Sequence, residues 1–209
     1  MIIQNKPTNL TKPLVIYISG YKRSGKDTFA KMLIEELNKT ELITSSIAFA
    51  DTLKMIVLGI AGIDWWTLDK YKNNPPKIRI SIMKFISKLL GIPYIPVDRS
   101  LLINLSKYSI KYLGEDIYVN PVKSFINEID DDIVIVTDLR IEREYQIPGI
   151  RIWIDNKRTK SDGTYIESSL RIDNSHLIVN NNQNIENLYI EAKKIAEYIK
   201  SYLKEKTDD

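Results

Sequence analysis

A short glycine-containing segment between an apolar run and a helical pattern constrains this chain most. Residues 20–28 read "GYKRSGKDT"; they follow "LVIYIS" (14–19) and precede "FAKMLIEEL" (29–37). The apolar run predicts a strand that is covered on both faces of a parallel sheet. In the segment that follows, apolar residues recur at helical spacing. The glycine-containing segment therefore connects a buried strand to the N-terminus of a helix.

The spacing G-x(4)-G-K in this segment is typical of a phosphate-binding loop. Gly20 and Gly25 allow main-chain N–H groups to point inward around phosphate oxygens, and Lys26 neutralises the β- and γ-phosphates. The helix N-terminus adds a partial charge of about +0.5, and Ser24 could donate a further hydrogen bond. The alternative is a plain strand-to-helix turn with solvated charges. The position between strand and helix favours the phosphate loop.

Asp27 occupies the position where such loops usually carry serine or threonine. The role of facing magnesium would then pass to Thr28, or to acidic groups elsewhere in the chain. A hydroxyl two residues after the lysine is also found in loops like that of adenylate kinase. This spacing favours small-molecule kinases over switch GTPases.

Strand and helix patterns alternate along the rest of the chain. Further strands are predicted at "SSIAFA" (45–50), "DDIVIVTD" (131–138), "IRIWI" (150–154) and "HLIVN" (176–180). Further helices are predicted from Asp51 toward Gly62, around Ile78, Ile82, Phe85 and Leu89, at about Leu101 to Leu113, and along the C-terminal stripe Ala192, Ile195, Ala196, Ile199 and Leu203. This alternation predicts an α/β fold with a parallel sheet, right-handed crossovers and helices on both faces.

Composition limits the other classes of protein that this chain could belong to. The 209 residues, of which 44% are hydrophobic, suffice for one well-buried core, so we expect a single domain, 1–209. The 30 basic and 27 acidic residues are interleaved, which indicates no nucleic-acid or membrane partner and is compatible with small anionic substrates. The absence of cysteine excludes disulfides and thiolate metal sites. We expect a cytoplasmic protein.

Two further groups of residues are candidates for the same site. Asp138 and Arg140 follow the "IVIV" strand, at the edge where parallel sheets bind ligands. Asp138 could hold Mg²⁺ through water, and Arg140 could bind an acceptor phosphate; alternatively the two form an ion pair that caps a helix. A cationic stretch with Lys157, Arg158 and Lys160 could close over ATP as a lid at about 155–170. The alternative is a set of exposed surface charges.

The chain resembles the deoxynucleoside monophosphate kinases of phages and other viruses, a group of P-loop kinases. The resemblance rests on five motifs in the family's order: "SGYKRSGKDT" (19–28), "AFADTLK" (48–54), "YLGEDI" (112–117), "VTDLRIEREY" (136–145) and "YIESSLRIDNSHLIVNNNQNIENL" (165–188). It implies a five-stranded parallel sheet of order 2-3-1-4-5 and an acceptor-binding insertion at about 63–130. It also implies small-molecule nucleotides as ligands, with ATP and Mg²⁺ as the phosphoryl donor and its ion. A homodimer is compatible with it, as is the host cytoplasm of a virus.

Carried over position by position, the resemblance assigns a role to each matched residue. The ATP loop would comprise Gly20, Lys22, Arg23, Ser24, Gly25, Lys26, Asp27 and Thr28. The catalytic residues would be Lys26, Asp138 and Arg140, and Arg158 of the cationic stretch is a further catalytic candidate that lies outside the matched motifs. The acceptor would be bound by Asp51, Lys54, Arg140, Glu144 and Glu167, with Arg99 as a further candidate outside the motifs, and the metal by Thr28 and Asp138.

The chain departs from the family pattern at two points. Tyr165 stands where the family usually has a histidine, two residues before Glu167. The arginine expected after the "LGxD" motif is missing; Arg99, Lys107 or Lys111 would substitute. Two other functions stay open: an animal-type phosphomevalonate kinase, whose loop carries a similar "SGKD", and a catalytically weak nucleotide-binding module that serves a replication assembly.

Overall fold

The computed structural model describes residues 2–3, 13–61, 99–114, 116–139, 144, 148–161 and 172–207. The strands are β1 (Ile2–Ile3), β2 (Leu14–Ser19), β3 (Thr44–Ile47), β4 (Ile133–Val136), β5 (Ile150–Asp155) and β6 (Leu177–Asn180). The α-helices are α1 (Lys26–Leu37), α2 (Phe49–Ala61), α3 (Arg99–Leu113), α4 (Asp116–Glu128) and α5 (Ile185–Thr207), and a short 3₁₀ turn spans Ile172–Asn174.

The six strands form one sheet in the order β1-β6-β5-β2-β4-β3. The five strands from β2 onward are parallel, with Leu14 opposite Ile133 and Ile16 opposite Ile150. Numbered from β2 as the first, their order is 2-3-1-4-5, which confirms the predicted fold. The two-residue β1 adds an antiparallel edge to β6 and was not predicted, because two residues are too short to reveal a period.

The core explains why the strands are continuous apolar runs in the sequence. All six residues of β2 and all four of β4 are buried. Helices α1 and α5 cover one face of the sheet, and the buried side chains there include Ile16, Ile135, Ile152, Phe29, Leu33, Ala192 and Ile199. Residues that point to the other face, such as Val15 and Val134, are buried as well. Each buried Leu, Ile or Phe contributes about 1.5–3 kcal/mol relative to exposure.

The predicted strand at 45–50 is wrong in its second half. Strand β3 starts at Thr44 and ends at Ile47, and α2 begins at Phe49, two residues before the predicted Asp51. The pairing of β3 with β4 runs only from Thr44 to Ile47, which is opposite Val136. Beyond the edge of its partner strand, the apolar "AFA" segment packs as part of a helix, and local composition does not distinguish the two states.

The chain divides into two compact units. The first, Met1–Ala48 with Val122–Asp209, contains the whole sheet with α1 and α5. The second, Phe49–Pro121, contains α2, α3 and the first half of α4. The boundary falls inside α4 at Pro121, which has no N–H to donate to the helix ladder.

The second unit is described only in part. The predicted helix at about Leu101 to Leu113 is confirmed; it ends at Gly114, whose φ is 87° and whose N–H bonds Ile110 O at 3.0 Å. The helix predicted around Ile78 lies outside the described residues, and the insertion at about 63–130 stays a prediction. In the part of the chain that the structure describes, no helix is long and apolar enough to cross a membrane.

Candidate functional site

The segment after β2 folds into a tight loop in which three residues have positive φ. These are Gly20 (146°), Arg23 (65°) and Gly25 (95°). Ser24 N–H donates to Tyr21 O at 3.0 Å, which closes a turn inside the loop. Because such backbone is costly for residues with a Cβ, glycine is favoured at positions 20 and 25, while Arg23 adopts left-handed backbone despite its Cβ. Residues 20–25, together with the first turn of α1, are called the phosphate loop below.

The N-terminus of α1 presents main-chain amides that the helix itself does not use. The first ladder bond joins Phe29 N–H to Gly25 O at 2.9 Å, so the amides of Lys26, Asp27 and Thr28 precede the ladder. Gly25 is the N-cap and provides no side chain to bond them. Such a helix end carries the partial positive charge that favours a bound anion.

A buried hydroxyl lies inside the loop. Ser24 is fully buried, and its Oγ has no hydrogen-bond partner within the described ranges. A Cβ at Gly20 would stand 2.7 Å from this oxygen and 2.8 Å from Ile154 O, so no larger residue fits at position 20. A buried donor without a partner costs about 1–3 kcal/mol. The Ser24 hydroxyl is therefore a buried donor that no described protein group satisfies.

The cations of the loop differ in exposure. The side chain of Lys26 is only 11% exposed, with its Nζ 3.7 Å from Asp27 Oδ2, whereas Lys22 and Arg23 are exposed. Burial of the aliphatic stem confines the Lys26 ammonium to the loop. Asp27 and Thr28 both face solvent, so the predicted metal-facing hydroxyl is accessible.

Neighbouring elements hold the loop from outside. The Tyr21 ring packs edge-on against Trp153 of β5, with ring centroids 5.2 Å apart and planes at 89°. Asn181, the residue after β6, donates from Nδ2 to Ser24 O at 2.8 Å and from its main-chain N–H to Asp155 O at 2.7 Å. The loop conformation is therefore supported by β5 and by the turn that follows β6.

The predicted cationic stretch begins with an ordered turn at the same edge of the sheet. Asn156 Oδ1 accepts from Arg158 N–H at 3.0 Å, and Asn156 O accepts from Thr159 N–H at 2.8 Å. Lys157 N–H donates to Asn182 Oδ1 at 2.7 Å. The Lys157 and Arg158 side chains are exposed, and so is that of Lys160. Residues 162–170 of the predicted lid lie outside the described residues.

Asp138 and Glu144 are both buried, at 7% and 4% exposure. Asp138 follows Val136, the last residue of β4 and the register partner of Tyr17, by two residues. Burial, and then the Glu144 carboxylate, raise the pKa of Tyr17, while Arg151, directly opposite Tyr17 in β5, lowers that pKa. Arg140 lies outside the described residues.

The predicted acceptor residues Asp51 and Lys54 lie in the second unit. They form an ion pair on α2, with Lys54 Nζ 2.8 Å from Asp51 Oδ1. Arg99 is the first residue of α3, and Glu167 lies outside the described residues. Lys107 and Lys111, the possible substitutes for the missing arginine, are exposed on α3.

Sequence reasoning missed the contribution of Asn181 and Asn182. The "NNNQN" segment (180–184) lies within the last of the five motifs, and no role was predicted for it. In the structure these two side chains bond the phosphate loop and the turn after β5, while Asn184 Oδ1 caps α5 through Asn187 N–H at 3.0 Å. A dense run of side-chain amides at the carboxyl end of a predicted parallel strand is the signal that could have indicated them.

Metal ligands do not cluster in the described part of the chain, where no group of three or more His, Cys, Asp or Glu residues could hold an ion.

Comparison with known proteins gives distant structural likenesses. No family model matches the chain, and no curated protein matches it in sequence. A gluconokinase from Sinorhizobium meliloti 1021 aligns over 93% of this chain and 97% of its own, with 11% identity and a TM-score of 0.42. A shikimate kinase from Bacteroides thetaiotaomicron aligns over 90% and 98%, with 11% identity and a TM-score of 0.39. A sugar kinase from Janibacter sp. HTCC2649 aligns over 86% and 91%, with 15% identity and a TM-score of 0.32.

Likenesses this distant carry no argument about activity. The structure itself shows the five-stranded parallel sheet of order 2-3-1-4-5 and the glycine-containing loop between β2 and α1.

Proposed function

We propose that this protein transfers the γ-phosphoryl group of ATP to a deoxynucleoside 5′-monophosphate. The observation that carries the proposal is the phosphate loop: a buried donor at Ser24, free amides at the start of α1 and a confined ammonium at Lys26 lie within one turn of chain. These groups suit a polyphosphate, whose oxygens accept several hydrogen bonds and carry several charges. The five motifs shared with viral deoxynucleoside monophosphate kinases support the choice of acceptor.

The residues of the loop fit the donor ATP. The main-chain amides of the first turn of α1 and the Ser24 hydroxyl would bind the phosphates of ATP. The Lys26 ammonium would stabilise the negative charge on the phosphoryl group during transfer. Mg²⁺, which is usually bound through one or two carboxylates plus substrate phosphates, would neutralise phosphate charge when present. Asp138 and Thr28 are the oxygen donors that we assign to it.

The acceptor side requires positioning more than proton transfer. The phosphate of a nucleoside monophosphate is already an anionic nucleophile, so no general base is required. We assign its binding to Asp51 and Lys54 on α2, with Arg99, Arg140, Glu144 and Glu167. Arg158, exposed on the turn after β5, would add positive charge near the transferred group.

A steady-state screen tests the proposal. Deoxy- and ribonucleoside 5′-monophosphates and mevalonate 5-phosphate are offered in parallel with Mg-ATP, and ADP release is followed by a coupled assay. Turnover that depends on a deoxynucleoside monophosphate is the expected result. Turnover with mevalonate 5-phosphate and with no nucleotide would identify the protein as a phosphomevalonate kinase instead. A rise in melting temperature with ATP, without stimulation by any acceptor, would indicate a binding module instead.

A further inference from the structure

The turn after β6 contacts the phosphate loop at one peptide group. Asn181 Nδ2 donates to Ser24 O at 2.8 Å. Because a main-chain carbonyl only accepts, the side-chain atom that faces it must be the amide nitrogen. Asn181 is itself fixed by its N–H, which bonds Asp155 O at the end of β5 at 2.7 Å. The hydrogen bond therefore links two residues that are 157 positions apart in the sequence, and one of them, Asn181, is held by the last residue of β5.

The direction of this hydrogen bond determines where the next amide points. In a trans peptide the C=O of one residue and the N–H of the following residue point in opposite directions. With Ser24 O directed outward to Asn181, the N–H of Gly25 is directed to the other side of the peptide. Among the described residues, Gly25 N–H has no hydrogen-bond partner. A hydrogen bond to the carbonyl also polarises the peptide and strengthens the N–H as a donor.

Steric contact reinforces this arrangement. Gly25 has φ 95°, and a Cβ there would collide with Asn181 Nδ2. The side chain of Asn181 thus lies directly against the Gly25 backbone and limits movement of the peptide in that direction.

We propose that Asn181 is a positioning residue for the phosphate donor: its side-chain amide orients the Ser24–Gly25 peptide so that Gly25 N–H faces the donor phosphates. The inference rests on the proposed function insofar as the loop binds a polyphosphate, but it does not depend on which acceptor is used. Asn181 acts through the loop and does not touch the phosphates.

Equilibrium binding of ATP and of inorganic tripolyphosphate to the full chain tests the proposal. Asn181→Leu removes the donor and keeps the branching of the side chain, and Asn181→Asp places an acceptor and a negative charge against Ser24 O. For Asn181→Leu we expect about tenfold weaker binding of both ligands, which corresponds to about 1.4 kcal/mol. Asn181→Asp should bind more weakly still. In turnover, the KM for ATP should rise while the KM for the acceptor stays unchanged.

The matched control is Asn184→Ser in the same turn. The Asn184 side chain caps α5, and serine is an equally good N-cap, so this variant should bind as the original chain does. Melting temperatures of the ligand-free variants identify a merely structural role, which would lower stability and leave affinity unchanged well below the melting temperature.

The inference would be overturned if Asn181→Leu bound tripolyphosphate as tightly as the original chain does. It would also be overturned if the original chain did not bind tripolyphosphate at all. Binding by the original chain without turnover on any nucleoside monophosphate would instead contradict only the proposed acceptor.

Discussion

The hydroxyl oxygen of Ser24 lies against the backbone of Gly20, 2.7 Å from the point where a Cβ on Gly20 would stand. The two residues face each other across the phosphate loop, and the hydroxyl has no hydrogen-bond partner among the described residues. A fully buried, unpartnered donor lowers the stability of the free protein. The unpartnered hydroxyl therefore destabilises the ligand-free protein, and a hydrogen bond to a bound phosphate would remove this destabilisation.

Replacing Ser24 by alanine should therefore change stability and ATP binding in opposite directions. We expect Ser24→Ala to raise the free energy of unfolding of the ligand-free chain by about 1 kcal/mol, because the orphaned hydroxyl is removed. The same variant should bind ATP about tenfold more weakly, because a donor to phosphate is lost. Urea unfolding and calorimetric titration with ATP measure the two effects.

Ser19→Ala is the matched control for the stability effect. Ser19 is also buried, but its hydroxyl donates to Ile152 O at 3.3 Å, so its removal should lower stability by about 0.5–1 kcal/mol. The expected outcome is that the unfolding free energy rises for Ser24→Ala and falls for Ser19→Ala. Equal destabilisation by both would mean that the Ser24 hydroxyl is already bonded in the free protein.

Lys26→Met should reduce turnover at least about a hundredfold, because the charge that faces the transferred phosphoryl group is lost while most of the packing of the side chain remains. Its melting temperature should stay close to that of the original chain. The control is Lys31→Met, a change of an exposed lysine on the same helix. Steady-state kinetics measure turnover, and circular dichroism measures the melting temperature. Unchanged turnover in Lys26→Met would refute the role given to this lysine.

Gly25 and Gly114 form a second matched pair, since both adopt left-handed backbone, with φ of 95° and 87°. A Cβ at Gly114 meets nothing within 4 Å, so Gly114→Ala should cost only the backbone strain, roughly 1 kcal/mol. Gly25→Ala should cost more, because its Cβ displaces the Asn181 amide. Only Gly25→Ala should weaken tripolyphosphate binding, by at least about tenfold. Equal affinities in the two variants would argue against a role of the Asn181 contact in phosphate binding.

His176, the single histidine of the chain, should make stability depend on pH. Its Nδ1 accepts a hydrogen bond from Arg151 N–H at 3.0 Å, which requires the unprotonated nitrogen. Burial, and then the Arg151 charge, hold the pKa of His176 below its ordinary value of 6.5. A lowered folded-state pKa means that the neutral imidazole contributes stability above pH 6.5, which is lost as pH falls from there to the folded pKa.

The unfolding free energy should therefore decrease between pH 7.5 and 5.5, because over this range the unfolded chain binds a proton at His176 more readily than the folded chain does. His176→Asn keeps an acceptor near the Nδ1 position and cannot titrate. Chemical unfolding at both values of pH should show a smaller decrease for this variant. An identical decrease in both proteins would assign the effect to other groups.

Much of the fold could be predicted because its elements are periodic over short distances. Strand β2 and helix α1 each carry enough apolar residues to reveal their period, and the loop between them has a spacing that few other structures require. The start of α2 was wrong because "AFA" suits a strand and a helix equally. Strand β1 was missed because its two residues are ordered by pairing with β6, a partner far along the chain.

The candidate site divides in the same way. The sequence by itself determined the glycines that permit the loop, the lysine beside it and the strand–loop–helix context, because these depend on backbone conformation and neighbouring residues. Only the tertiary structure decided that Ser24 is buried without a partner, that Lys26 is confined, and that Asn181 faces Ser24 across 157 residues. Burial and hydrogen bonding between distant residues arise when the sheet assembles, and no local pattern in the chain encodes them.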